Sequence, residues 1–271
     1  FWAMLLAVGL GYIRPETALT PRRLFNVLGT GGRDVLGVAA TTATAGIIVG
    51  VVTLTGLGLK LAGVIVALAG GTLFLSVAYS AIAVWLLGLA VPVTASYIIA
   101  AVMIAPALIQ VGVAPVAAHM FIFYYAVLSE VSPPTALSPF AAAALTGGNP
   151  FRTMMLTWKY TLPAFLVPFI FTLSLEGLGV LLQGPLRDVL VTTLTAAAGI
   201  VGLAVGLGGW LWRAANLPEH VLATAAGLLL FYANPFTDLA GVALLILTAL
   251  IHIIRVRASS RSSTVVSSLA E

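Results

Sequence analysis

The sequence contains no cysteine, which excludes disulfides, thiolate metal sites and cysteine nucleophiles and leaves the redox compartment undetermined. Charge is nearly as scarce. Asp, Glu, Lys and Arg make up 7% of the 271 residues, where a soluble domain carries about a quarter. No Asp lies between Asp34 and Asp188, so the shared carboxylate pair of an intramembrane aspartyl enzyme is missing and Glu130 stands nearly alone. His119, His220 and His252 fall on separate segments, without the i, i+4 spacing of a helical zinc protease. No glycine-rich nucleotide-binding loop is present. The net charge of +4 sits mostly in short connections, residues 14–33 and 255–261, and forms no stripe that would track a nucleic-acid backbone. These absences argue against an enzyme, a resident cofactor and a nucleic-acid partner.

What is present is apolar. The chain is 61% hydrophobic, with a mean hydropathy of +1.15. That composition belongs in a lipid bilayer, and the predicted class is an all-α polytopic membrane protein. Between Leu61 and Ser129 no residue is charged, a run of about 70 where one crossing needs about 20, so more than one element lies within it. The breaks fall at Gly70-Gly71, at Gly88-Leu89-Ala90-Val91-Pro92-Val93-Thr94, and at Val111-Gly112 with Pro115.

Four regions follow from the pattern. Residues 1–34 read as a truncated helix, opening on Phe1, and an interfacial amphipathic connection in which Thr20-Pro21 starts a short helix with Leu24, Val27 and Leu28 on one face. A chain that opens this way is expected to begin inside a helix and to be part of a longer protein. Residues 35–176 read as the central repeat, its first span carrying the small-residue spacing Gly46-x-x-x-Gly50, which arises often by chance. Residues 177–257 hold further transmembrane helices, with Trp210, Trp212, Phe231, Tyr232 and Phe236 placed as an aromatic belt. Residues 258–271, rich in Ser and Arg, read as a disordered tail.

Two places in the central region carry chemistry. Glycine and proline interrupt an otherwise continuous apolar helix between residues 71 and 109, and the lost i to i−4 bonds free carbonyls that can ligate a cation. Thr94 and Ser96 add hydroxyls where the resumed half-helix begins, and its N-terminal dipole favours an anionic group. Further on, residues 113–146 form two apolar arms, each short for a crossing, around Ser129-Glu130-Val131-Ser132-Pro133-Pro134-Thr135. This reads as a re-entrant hairpin, and non-helical backbone at membrane depth is tolerated where it lines a cavity, so its tip is a place to hold a solute or ion. Two consecutive prolines remove two backbone donors and push Ser132 toward an extended conformation. After the hairpin, residues 146–150 end one helix and cap the next, and residues 161–175 are expected to form a span kinked at Pro163 and Pro168. Glu130 is a candidate for ion or proton coupling, or a carboxylate solvated in the access vestibule. His119 is a candidate for a buried hydrogen bond to a neighbouring element, or for carrying a proton.

Taken together, Gly88-x-x-x-Pro92-x-Thr94-x-x-Tyr97, Pro106-Ala107-Leu108, Ala118-His119-Met120-Phe121 and Ser129-x-x-Ser132-Pro133-Pro134-Thr135-Ala136-Leu137 resemble the large membrane subunit of tripartite ATP-independent periplasmic (TRAP) transporters. More narrowly, with residues 45–58, the chain is similar to the fused permeases that join the small and large membrane subunits and pair with a TAXI-type binding protein. The resemblance implies the second inverted repeat of an elevator-type transporter in the bacterial inner membrane, importing a small organic acid such as a dicarboxylate. It implies partners too: a periplasmic substrate-binding protein, the N-terminal part of the permease with its small-subunit region, and the lipid bilayer. It also implies an ion site of Gly88, Pro92, Thr94, Ser129, Ser132, Pro133, Pro134 and Thr135, with sodium on oxygen ligands, and substrate contacts from Thr94, Ser96, Tyr97 and Ser132. The break has fewer glycine and threonine residues than family members often have, so proton symport through Glu130 or His119 stays open beside sodium. A stand-alone carboxylate transporter of related architecture and a non-transporting membrane scaffold are the alternatives.

Overall fold

The computed structural model describes residues 2–13, 18 and 20–268. Phe1 and the Arg14-Pro15-Glu16 connection lie outside the described residues, as do residues 269–271 of the expected tail. Regular structure is helical, with no β-strand among the described residues. The chain divides into two units, Phe1–Gly50 and Val51–Glu271.

The first unit holds α1 (Trp2–Gly11) and most of α2 (Pro21–Thr55). Pro21 occupies the first helical position, and the Arg23 amide donates to Thr20 Oγ1 at 3.4 Å. The helix then continues for 35 residues, so the expected interfacial helix and the span from residue 35 are one element. Gly29, Gly31 and Gly32 keep negative φ. Glycine inside a helix costs only about 1 kcal/mol against alanine, and no proline intervenes to break the ladder.

The second unit opens with α3 (Leu57–Leu68), α4 (Leu73–Ala90), α5 (Val93–Met103), α6 (Ala105–Gln110) and α7 (Pro115–Leu128). There follow α8 (Leu137–Thr146), α9 (Pro150–Thr161), α10 (Val167–Leu173), α11 (Leu186–Gly208), α12 (Leu217–Leu230) and α13 (Pro235–Ser268). Five helical stretches are long and apolar enough to cross a membrane: Pro21–Thr55, Leu73–Ala90, Pro150–Leu173, Leu186–Gly208 and Pro235–Arg257. The protein is a multi-pass membrane protein.

The core of this unit is built on one face of α7, while Val116, Met120, Phe123 and Val127 on its other side are exposed. Ala117, Phe121, Ile122 and Ala126 are fully buried, packed with Val77 and Val84 of α4, Ala100 of α5, Leu108 of α6 and Phe171 of α10. At 14 residues α7 is about 21 Å long, short of the bilayer's hydrocarbon thickness. A second apolar cluster joins Ile170, Ala196, Leu203, Phe231 and Ala233.

Three local expectations change. The span expected at residues 161–175 begins earlier, because Asn149 caps α9 by accepting the Arg152 amide at 2.9 Å. Pro163 tightens residues 162–166 into a 3-10 turn and the helical run resumes as α10, with Pro168 in its first turn. Phe231, assigned by its position to the aromatic belt, is a core residue at 5% exposure, whereas Trp210, Trp212, Tyr232 and Phe236 are exposed. The backbone of α13 runs on past residue 257 to Ser268, and neither glycine nor proline occurs there.

Packing in the C-terminal part is anchored by a polar knot. The carboxylate of Glu219, buried at the start of α12, accepts from the Asn216 amide at 3.0 Å, Arg255 Nε at 2.8 Å and Arg255 Nη2 at 3.0 Å. His252 Nδ1 lies 3.0 Å from the same carboxylate, and Arg255 Nη2 also donates to the Ala214 carbonyl at 2.6 Å. Burial alone would raise the Glu219 carboxyl. The hydrogen bonds from His252, Arg255 and the Asn216 amide, with the Arg255 charge, outweigh it and hold the group at about 2. Sequence reasoning passed over this knot, although Asn216-Leu217-Pro218-Glu219 is a legible capping box.

Candidate functional site

The helix formed by α4 and α5 is broken at Val91-Pro92. Val91 is extended (φ −139°, ψ 156°), and Pro92, with no N–H to donate, starts the next half-helix. The carbonyls of Leu87, Gly88, Leu89 and Ala90 therefore end α4 without intrahelical partners, and no donor from another element bonds them among the described residues. Across the gap, the amides of Val93, Thr94 and Ala95 open α5 with no side-chain cap. One polar group of the break is satisfied locally: the Ser96 hydroxyl, fully buried, donates to the Val91 carbonyl at 3.1 Å.

The turn after α7 comes up against this break. Residues 129–131 form a single 3-10 turn, Ser132 is extended, and Ala136 adopts a left-handed φ of 37° before α8 begins. The Ser129 hydroxyl donates to the Ala126 carbonyl at 2.7 Å and the Ser132 hydroxyl to the Leu128 carbonyl at 2.8 Å, both in buried positions. Gly88 is where the two pieces touch. A Cβ there would lie 2.4 Å from Ser129 Oγ and 2.7 Å from Ser129 Cβ, so the approach admits only glycine.

Between break and turn lies a cavity of about 270 Å³, lined by Gly88, Leu89, Ala90, Val91, Pro92, Glu130, Thr135 and Leu137. Its wall combines the electronegative end of α4 with one carboxylate, and no Lys, Arg or His lines it. Glu130 makes no hydrogen bond or ion pair with any described residue. The free carbonyls of α4, the Thr135 hydroxyl and the Glu130 carboxylate form a donor set of hard oxygens, the kind that suits a monovalent cation. Two larger cavities, one walled by Trp85, Trp158 and Phe165 and the other by Phe74, Phe169 and Leu228, are lined by apolar and aromatic side chains and offer no such set.

The structure thus gathers Gly88, Pro92, Thr135 and Glu130 on one cavity. Ser129 and Ser132 stand behind it as buried supports, Pro133 and Pro134 form the outer turn, and Thr94 is exposed on α5. Tyr97 and His119 come together elsewhere: Tyr97 Oη and His119 Nδ1 are hydrogen-bonded at 3.1 Å between α5 and α7, with Phe123 against the Tyr97 ring. The neighbouring-element bond expected of His119 exists, but the imidazole is exposed and not buried.

Residues 1–177 match the family model described as Tripartite ATP-independent periplasmic transporter, DctM component. The chain belongs to this family. It is accordingly a permease component of a TRAP transporter, a family of transporters and not of enzymes. The broken helix, the turn and their cavity all lie inside the DctM match, and the Glu219 knot lies outside it. Neither curated proteins nor solved structures give a significant match to the chain.

Proposed function

We propose that this DctM-family chain is the second inverted repeat, with its C-terminal helices, of a fused TAXI-type permease. The permease imports a small organic acid by an elevator movement, driven by a sodium or proton gradient. The substrate arrives on a periplasmic binding protein, and the small-subunit region precedes this part in the same polypeptide, in the bacterial inner membrane. The observation that carries this reading is the Gly88–Ser129 approach, which closes a cavity of free helix-end carbonyls and one carboxylate between a broken helix and a turn flanked by two short apolar helices. Such breaks supply ion and substrate sites in transporters of inverted-repeat design. Residues 113–146 act as the re-entrant hairpin in this reading, with Ser132 and Thr135 in its tip.

The test is uptake by the complete permease in proteoliposomes, with the binding protein outside, under an inward sodium gradient and then an inward proton gradient. Sodium-driven uptake that falls with Thr135→Ala and Ser132→Ala supports the ion site at the tip. Proton-driven uptake lost in Glu130→Gln moves the coupling to that carboxylate. Uptake independent of either gradient, or none at all, would refute the reading.

A further inference from the structure

The three C-terminal helices separate charge by end. Gly206 of α11 lies against Thr224 of α12 and Gly199 against Leu230, so these two helices run antiparallel. So do α12 and α13, where Leu230 meets Gly241 while Glu219 meets His252 and Arg255. One end of the trio therefore collects the loop of residues 209–216, the start of α12 and α13 up to residue 257. It carries Arg213, Arg255 and Arg257 against the single carboxylate of Glu219, which leaves cations in excess. The opposite end sets Glu176, Asp188 and Asp238 against Arg187 around one cavity, which leaves anions in excess. The exposed tryptophans sit at the cationic end. Trp210 and Trp212 are 62% and 68% exposed, yet their loop is fixed. Gly209 ends α11 at a φ of 75°, the Ala215 amide donates to the Gly209 carbonyl at 3.0 Å, and the Leu211 amide donates to the Arg213 carbonyl at 3.2 Å. Arg255 Nη2 holds the Ala214 carbonyl from α13, and the Trp212 ring lies 6.3 Å from that of His252. Indoles held outward in this way favour the headgroup level of a bilayer, where one part of the ring is apolar and the N–H is wet.

We propose that the loop of residues 209–216 and the adjoining turn of α13 bind the headgroup of an anionic phospholipid. Arg213 and Arg257 are exposed, and their side chains make no hydrogen bond or ion pair with any described residue. Arg255 engages Glu219 and Ala214 through Nε and Nη2; its Nη1 bonds no described residue, and 39% of the side chain is exposed. The lipid phosphate is held by Arg213 and the free edge of the Arg255 fork, a geometry that guanidinium groups share with phosphate oxygens. Arg257 adds charge, and Trp210 and Trp212 seat the glycerol region. Glu219 neutralises one of the three arginines and fixes its fork from within, since the carboxylate itself is buried. A zwitterionic headgroup brings an ammonium that the remaining cations repel, whereas a headgroup of net negative charge brings none. The site lies beyond residue 177, outside the DctM match, and does not depend on what the permease carries.

The experiment titrates the complete permease, purified in detergent, with phosphatidylglycerol or with phosphatidylcholine of the same acyl chains. Bound lipid is read by native mass spectrometry and stabilisation by melting temperature. Phosphatidylglycerol is expected to bind at least about tenfold more tightly than phosphatidylcholine, a preference that narrows as salt is raised. Arg213→Gln and Arg257→Gln are each expected to weaken phosphatidylglycerol binding about fivefold and to leave phosphatidylcholine binding unchanged. Neither side chain has a partner among the described residues, so both variants should melt with the parent when no lipid is added. Arg187→Gln, at the opposite end, should keep the full preference. Equal binding of the two lipids, or a preference undiminished in the double variant of Arg213→Gln with Arg257→Gln, overturns the proposal. An equal loss in Arg187→Gln overturns it too, because the attraction would then belong to overall charge. Inorganic phosphate that raises the melting temperature as far as phosphatidylglycerol does would make this a site for a soluble anion and would overturn the lipid assignment.

Discussion

Replacing Gly88 by alanine tests whether the broken helix and the turn form one site. The added Cβ would sit 2.4 Å from Ser129 Oγ and 2.7 Å from Ser129 Cβ, and ordinary contact starts at 3.4 Å. The two backbones must therefore separate by about 1 Å, or Ser129 must leave its place. Ser129 is 1% exposed and its hydroxyl holds the Ala126 carbonyl, so it has little freedom to yield. Overpacking of this kind costs about 1–3 kcal/mol. Gly88→Ala is expected to lower the melting temperature of the purified permease and to reduce uptake. The second substitution decides the cause. Ser129→Ala removes Oγ but leaves Cβ in the way, so the double variant stays impaired. Ser129→Gly removes both atoms, and the next neighbour, the Ala126 carbonyl oxygen at 3.6 Å, is unstrained. The double variant Gly88→Ala with Ser129→Gly should therefore recover melting temperature relative to Gly88→Ala alone. Equal behaviour of the two double variants, or a Gly88→Ala protein indistinguishable from the parent, would show that the close approach is not what shapes the cavity.

The Glu219 knot gives a pH dependence. Its carboxyl is held at about 2 against 4.5 in the unfolded chain, so the unfolded state binds more protons between those values. The stabilisation is present above pH 4.5 and is lost as pH falls toward 2. Acid unfolding of Glu219→Gln should be flatter across that window, and equal slopes for parent and variant would count against the assignment. Gly177→Ala places a Cβ 1.8 Å from the Ile170 carbonyl oxygen, a backbone atom that cannot swing away, and should cost more than about 3 kcal/mol. Gly63→Ala meets no atom within 4 Å and should be neutral or stabilising by up to about 1 kcal/mol, a contrast that size-exclusion recovery and melting will show. Tyr97→Phe removes the exposed bond to His119 with no loss of melting temperature; if the pair carries protons, proton-driven uptake falls while sodium-driven uptake does not.

Where covalent chemistry acts locally, the sequence was legible. Pro92 lacks an N–H wherever it stands, and the helix breaks beside it. Pro133 and Pro134 remove two donors in succession, and the chain turns there. Asn149 before Pro150 marked a helix start that proved to be the beginning of a 24-residue apolar run. The helix opening at Pro21 was expected to be short, but α2 runs on through Gly29, Gly31 and Gly32, because glycine permits a turn without requiring one.

By itself the sequence determined that this protein lives in lipid, that its elements are helices and that two proline-marked interruptions fall inside an apolar, charge-poor stretch. Those properties depend on composition and on neighbours a few residues apart. Only the tertiary structure decided what the interruptions do together. Gly88 meets Ser129, Glu130 joins Pro92 and Thr135 around one cavity, Tyr97 finds His119, and Glu219 collects His252 and Arg255 from 33 and 36 residues away. Each of these pairings joins residues on different elements. Which side chains meet is set by how helices pack at distances that no local periodicity encodes.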